Sequence, residues 1–258
     1  MNEHTSFLYP FIDSDERDST ALLEDLALSA REKAATSNRY RIETLAACAP
    51  TLDAAANDIA ERLQRGKRMF MFGNGGSSTD ATSLADLFAR PAAGRPVAAR
   101  TLVDDSAVLT ALANDVGFDL VFSRQLIAYS HAGDIALGLS TSGNSQNLLN
   151  AFATAVDRGL LTIAFAGYGG GEMAASEHVN HCFVVASDSV HRIQETQAAI
   201  GFELWRRVQF RLDAGRHAEP GPGPRAGWAS GPEDEAATAP MTAGAIASTT
   251  EQAVQRAR

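Results

Sequence analysis

Cysteine is scarce: Cys48 and Cys182 are the only two in 258 residues. They lie far apart and lack metal-type spacing, which argues against a disulfide framework or zinc ribbon and fits a reducing cytoplasm. Basic runs are absent. Lys and Arg total 22 against 31 Asp and Glu, for a net charge of -9. Such a chain has no bulk attraction for nucleic acid or anionic membrane. No apolar stretch reaches the length of a membrane span, and Met1 to Asp13 has no basic n-region, so neither a span nor a signal peptide is expected. No Gly-Lys-Ser/Thr occurs in a phosphate-loop setting, and the full G-x-G-x-x-G of a dinucleotide site is missing. What remains is a chain 45% hydrophobic and 21% charged, enough for one α/β domain with a large core plus extensions.

One stretch organises the rest. Ile135 to Leu139 is an apolar strand. It leads into Ser140-Thr141-Ser142-Gly143-Asn144-Ser145, and a helical pattern starts at Gln146. A strand, a hydroxyl-rich turn and a helix N-terminus together suit an anion, because the first helical turn has unpaired N–H groups and the positive end of the dipole. Alternatively, the serines are ordinary N-caps. A second loop of the same kind favours the anion. Arg68 to Phe72 is a strand, followed by Gly73-Asn74-Gly75-Gly76-Ser77-Ser78 and a helix from Asp80 to Phe88. The glycines allow close backbone approach and positive φ.

The other elements follow from periodicity. Residues 1–18 read as an irregular arm. Ser19 begins an amphipathic helix, and Thr44 to Leu63 a second. Pro96 to Val103 is a short strand. Ser106 to Asn114 and Leu120 to Tyr129 are helices around a turn. Gly159 ends the helix after the serine loop. Leu161 to Phe165 and His181 to Val185 are strands, separated by a flexible glycine loop, Gly167 to Gly171. Arg192 to Leu212 is a closing helix. Residues 213–258 hold Pro220, Pro222, Pro224, Pro232 and Pro240 among small residues and read as a disordered tail. Strands alternating with helices predict a parallel sheet covered on both faces, with ligands beyond the strands' C-terminal ends.

Four motifs, Asn74-Gly75-Gly76-Ser77, Ala113-Asn114-Asp115, Ser140 to Ser145 and Arg192-Ile193-Gln194-Glu195, stand in an order and spacing that resemble the sugar isomerase (SIS) domain. Within it they are similar to the phosphoheptose isomerase group, over about residues 20–212. The resemblance implies a flavodoxin-like three-layer sandwich with a five-stranded parallel sheet, usually a homotetramer. It implies aldose–ketose isomerisation of a sugar phosphate such as sedoheptulose 7-phosphate. Ser77, Ser140, Thr141, Ser142 and Ser145 would hold the phosphate. Asn74, Gly75 and Asp115 would face the sugar, with Gln194 at the chemical end.

The family pattern has a histidine and a glutamate, four residues apart, on the helix after its first loop, and a second histidine on the closing helix. Here Ser83, Leu87 and Phe202 stand at those positions. In the enzymes these positions serve the metal site and supply base and acid. Serine, leucine and phenylalanine do not make a zinc set, so no metal cofactor is expected. Glu195 and His191 become the candidate proton-transfer groups beside Gln194. Asp86 is a further candidate, turned about 100° from the lost glutamate position. His131, His178 and His181 have no ligand spacing and read as structural or exposed. The alternative function is a non-catalytic phosphosugar-binding regulator. Gly167-Tyr168-x-Gly170-Gly171-Glu172 and His131-Ala132-Gly133-Asp134 resemble SIS proteins that associate with the bacterial replication initiator.

Overall fold

Every strand of the sheet is parallel, and their order is β2-β1-β3-β4-β5. The computed structural model describes residues 19–218. The strands are β1 (Met69–Gly73), β2 (Ala99–Thr101), β3 (Ile135–Leu139), β4 (Leu161–Gly167) and β5 (His181–Val185). The helices are α1 (Ser19–Ala47), α2 (Ala49–Gln64), α3 (Gly76–Ala89), α4 (Ser106–Asp115), α5 (Val121–Tyr129), α6 (Gln146–Asp157), α7 (Gly171–Ala175) and α8 (Val190–Ala218). A 3₁₀ turn, Phe118–Leu120, precedes α5. This is the flavodoxin-like order, with its switch point between β1 and β3.

Strand β1 shows why three layers form. Met69 and Met71 turn to one face, Phe70 and Phe72 to the other, and all four are buried. On the methionine face they join Ile135, Leu137, Ile163 and Phe165 under α2, α3 and α8. On the phenylalanine face they meet α5 and α6, where Phe122 and Phe152 lie 5.2 and 5.6 Å from the Phe72 ring. Strands covered on both sides read as near-continuous apolar runs, which is what Met69 to Phe72 and Ile135 to Leu139 are.

Three expectations are corrected. The helix expected from Thr44 to Leu63 is divided at Cys48. Thr44 and Leu45 close α1, and α2 opens with Pro50 in its first turn, where the missing N–H costs nothing. The closing helix does not stop at Leu212. Leu212 is its last core residue, but the helix continues to Ala218. Gly167, expected in the glycine loop, closes β4, and Gly171 at the loop's other end opens α7 against the serine loop. The arm 1–18 and the tail beyond Ala218 lie outside the described residues. No described helix is long and apolar enough to cross a membrane.

Candidate active site

Strands β1 and β3 run in register, with Gly73 opposite Leu139, so their loops leave the sheet side by side at the switch point. The serine loop turns its hydroxyls inward. Ser140 Oγ lies 3.4 Å from Ser142 Oγ and 3.2 Å from Ser145 Oγ. The Gly143 N–H donates to Ser140 Oγ and the Asn144 N–H to Ser142 Oγ. Ser145 occupies the N-cap position of α6, yet its side chain makes no capping hydrogen bond. The N-cap reading of these serines therefore fails for Ser145. Its hydroxyl joins a cluster of three at the start of a helix, the donor arrangement that suits a phosphate. Thr141 is half-buried beside them.

The loop is held from behind. Gly143 has φ +69°, and a Cβ there would stand 2.2 Å from the Gly170 carbonyl oxygen. Asn144 Oδ1 accepts the Glu172 N–H at 2.8 Å, and the Met173 N–H donates to the Gly143 carbonyl at 2.9 Å. Gly171, at φ +58°, is the glycine after β4 that this contact requires, since a Cβ there would meet the Ser142 carbonyl oxygen at 2.6 Å.

The first loop is tied to it by a reciprocal amide pair. Asn74 Nδ2 donates to Asn147 Oδ1 and Asn147 Nδ2 to Asn74 Oδ1, each at 2.9 Å. Gly75, at φ +55°, takes the N-cap position of α3, and Ser77 is buried in the first turn. Helix α3 then separates two cavities. One, of about 440 Å³, lies on its Ser78, Thr79 and Thr82 side and is bounded by Asn74, Gly75 and Phe118. The other, of about 110 Å³, lies on its Asp80, Ser83, Leu84 and Leu87 side against Leu139, Gln197, Ala198, Gly201 and Phe202. Ser83, Leu87 and Phe202 therefore do converge on one cavity.

Asp80 stands at this second cavity. Gln194 Nε2 donates to its Oδ2 at 3.0 Å, and a Cβ on Gly76 would come within 2.5 Å of that same nitrogen. Burial pushes the Asp80 carboxyl above its ordinary value, and the Gln194 bond offsets part of the rise. Gln197 is fully buried. Its Nε2 donates to the Ser140 carbonyl at 3.0 Å, and its Oε1 has no partner.

The expected acid–base groups lie elsewhere. Glu195 is engaged by the Ser37 hydroxyl of α1 and by Arg192 at 3.1 Å, which together hold its carboxyl below the ordinary value. It faces α1 because it is one residue, about 100°, around the helix from Gln194. His191 is exposed in the first turn of α8. Asp86 is exposed and paired with Arg90 one turn on. Asp115 is exposed at the end of α4, accepts from its neighbour Asn114, and lies off the lining of the larger cavity. His131 Nδ1 lies 2.7 Å from Arg68, and His181 Nε2 lies 2.7 Å from Asp58.

Asp80, Asn147 and Gln197 were missed by the sequence reading. A signal for Asp80 existed: it precedes Ser83 by three and Leu87 by seven, which places it on the same helix face as the altered positions. Gln197 likewise follows Gln194 by three. Neither residue belongs to a motif, so only the helical spacing could have found them.

The smaller cavity does not fit zinc. Around Asp80 it presents leucines, a phenylalanine, a serine whose Oγ donates to the Thr79 carbonyl, and the Gln197 amide, while Gln194 beside it gives its Nε2 to Asp80. Among the described residues no three His, Cys, Asp or Glu side chains cluster as a metal set.

A 2-1-3-4-5 parallel sheet with two hydroxyl-bearing loops at its switch point defines a flavodoxin-like α/β domain. The SIS domain matches residues 34–167, and the chain belongs to the SIS-domain family. It is 42% identical over 156 residues to a phosphoheptose isomerase of Aquifex aeolicus, covering 60% of this chain and 81% of that protein. It is 38% identical over 175 residues to a phosphoheptose isomerase of Akkermansia muciniphila, covering 67% and 92%. The structure of a phosphoheptose isomerase from Neisseria gonorrhoeae superposes with a TM-score of 0.66 at 32% identity, covering 71% of this chain and 98% of that one.

Proposed function

We propose that this chain is a sugar-phosphate isomerase of the phosphoheptose isomerase type, interconverting a sedoheptulose 7-phosphate-like ketose and its aldose. The observation that carries this is the inward-turned cluster of Ser140, Ser142 and Ser145, where Ser145 forgoes its cap. The relatives named phosphoheptose isomerases supply the reaction class. In this reading the three serines with Thr141 and Ser77 hold the phosphate, and Asn74 and Gly75 border the phosphate-side carbons of the sugar. The reaction runs without metal, because the residues at the smaller cavity offer no zinc donor set. The working unit is a homo-oligomer, a tetramer by family likeness. Leu23, Leu26, Leu28 and Ile42 on α1 and Phe210 on α8 are large apolar side chains left exposed. Its setting is the cytoplasm, in keeping with Cys48 and Cys182 as free thiols.

One observation favours a second reading. Leu87 and Phe202 make an apolar wall where a family enzyme has acid and base, which suits a protein that binds the phosphosugar without turning it over. A turnover assay with sedoheptulose 7-phosphate, with and without chelator and read by NMR in D₂O, decides between them. Deuterium at C2 of a new aldose, unaffected by chelator, supports the metal-free isomerase. Saturable binding with no exchange supports the regulator.

A further inference from the structure

We propose that Asp80 is the catalytic base of this isomerase, carrying the proton between C1 and C2, with Gln194 and Gln197 handling the two oxygens. The assignment rests on the isomerase reading above and deepens it. Three observations support it. First, Asp80 is the one carboxylate on the lining of the smaller cavity. Glu195 is engaged by Ser37 and Arg192, and Asp86 by Arg90. Second, the cavity joins both phosphate-side loops. Its floor is Leu139, the residue before Ser140. Gln197 is bonded to the Ser140 carbonyl, and Gln194 packs on Gly76 of the first loop. Two cavities flank α3 beside these loops, this one and the larger. Only the smaller has an ionisable side chain on its lining. Third, Gln197 lines the cavity with its Oε1 buried and without a partner, an acceptor that a small turn of the side chain presents to a substrate. A buried amide oxygen left unpaired is costly, and a substrate hydroxyl would satisfy it.

The chemistry balances without a co-reactant. The Asp80 carboxylate takes the C1 proton of the ketose. The C1–H electron pair becomes the C1=C2 bond, and the carbonyl π pair moves to O2, which takes its proton directly from the vicinal O1 hydroxyl, leaving the negative charge on O1. The O1 electron pair then forms C1=O1 as the C1=C2 π pair takes the proton back from Asp80 at C2. The proton O2 gains is the one O1 loses, so nothing net enters or leaves. Gln194 has a second amide N–H to offer O2 beyond the one given to Asp80, and Gln197 Oε1 accepts the O1 hydroxyl. Leu84, Leu87 and Leu139 give the cavity an apolar lining, which favours a carboxylate that readily takes a proton. Burial raising the Asp80 carboxyl acts in the same direction.

The test uses the full chain as wild type, Asp80→Asn and Asp80→Glu, with sedoheptulose 7-phosphate as the probe. Binding is read by calorimetry, turnover by kcat and KM, and carbon-bound exchange by NMR in D₂O. The expected result for Asp80→Asn is binding within about threefold of wild type, while kcat and exchange fall together by about 10²–10⁴-fold, the usual worth of a general base. Asp80→Glu, which keeps the carboxylate on a longer arm, is expected to retain more exchange than the asparagine variant. Asp80→Asn exchanging at the wild-type rate overturns the assignment and leaves the isomerase reading standing. A loss confined to KM and binding also overturns it. A wild type that binds the sugar phosphate but neither turns it over nor exchanges its protons overturns the isomerase reading itself, and Asp80 with it.

Discussion

Asn74 and Asn147 exchange two amide hydrogen bonds, each 2.9 Å long, and so fasten the loop after β1 to the helix after β3. Asn147 is 2% exposed, so its amide has no water to turn to if Asn74 is removed. Asn74→Ala is therefore expected to cost about 1–3 kcal/mol, the penalty for stranding a buried amide. Asn147→Ala should cost a similar amount. The double variant should fall short of their sum by about 1 kcal/mol, since neighbours sharing a bond are not additive. Urea unfolding of the four proteins measures this. Additive losses would show that the pair carries no coupling.

Ser145 separates a binding role from a structural one. A serine that caps a helix costs about 1 kcal/mol when replaced by alanine. Here the Ser145 hydroxyl faces Ser140 and makes no cap bond. Ser145→Ala is expected to leave the melting temperature within about a degree of wild type and to weaken sugar-phosphate binding about tenfold, the loss of one charge-assisted hydrogen bond of about 1.5–3 kcal/mol less what water recovers. Calorimetry and thermal melting on the same preparation report both. A destabilised variant with unchanged affinity would return Ser145 to the ordinary capping role.

The sheet was largely legible in the sequence because its strands are buried on both faces. Ile135 to Leu139 and His181 to Val185 have the bounds expected of them, and β1 is displaced by one residue. The order in space is a different matter. Neither periodicity nor propensity says that β3 lies between β1 and β4, and the family resemblance carried that step. Cys48 was missed as a helix junction because helical hydrogen bonds run across it: its N–H donates to Thr44 and its carbonyl accepts from Leu52. Within the site, the hydroxyls could be read because they lie in one contiguous loop. Asp80, Gln194 and Gln197 meet through packing of α3 against α8, which is a long-range contact that a linear pattern does not encode. Glu195 looked catalytic by adjacency to Gln194, but adjacent residues on a helix face different ways.

Glu195 stands between two helices in the structure. Its carboxylate takes the Ser37 hydroxyl of α1 and the Arg192 guanidinium, so it joins the N-terminal helix to the closing one. Glu195→Gln is expected to leave kcat within about threefold of wild type, because the amide can still accept from Ser37. Glu195→Ala should loosen α1, seen as faster amide exchange along residues 30–45, again with kcat retained. A kcat reduced by 10² or more in Glu195→Gln, with α1 unchanged, would restore Glu195 as the base.

Acid stability should be set by the network joining α8 to α2. Arg206 and Arg207 both bond Glu203, and Arg207 and Arg211 each reach Asp53 of α2 at 2.8 Å. The Arg206 hydrogen bond is the main cause, with Arg207 adding, and the Glu203 carboxyl is held down from 4.5 to about 2. Arg211 and Arg207 lower Asp53 in the same direction. A carboxylate with a lowered folded-state value stabilises the protein fully above its unfolded value, and that stabilisation is lost as pH falls toward the folded one. The window for Glu203 is thus about pH 4.5 down to 2. Asp80 has the opposite sign. Burial raises its carboxyl, so its charge costs stability at neutral pH and the cost fades on acidification. Glu203 is 19% exposed, and with allowance for solvent its share is on the order of 1–2 kcal/mol. Glu203→Gln should therefore melt below wild type at pH 6, and the gap between the two should close as the pH approaches 2. Melting curves across that range measure the gap. A constant difference from pH 6 to 2 would mean that Glu203 acts through packing of its stem and not through its charge.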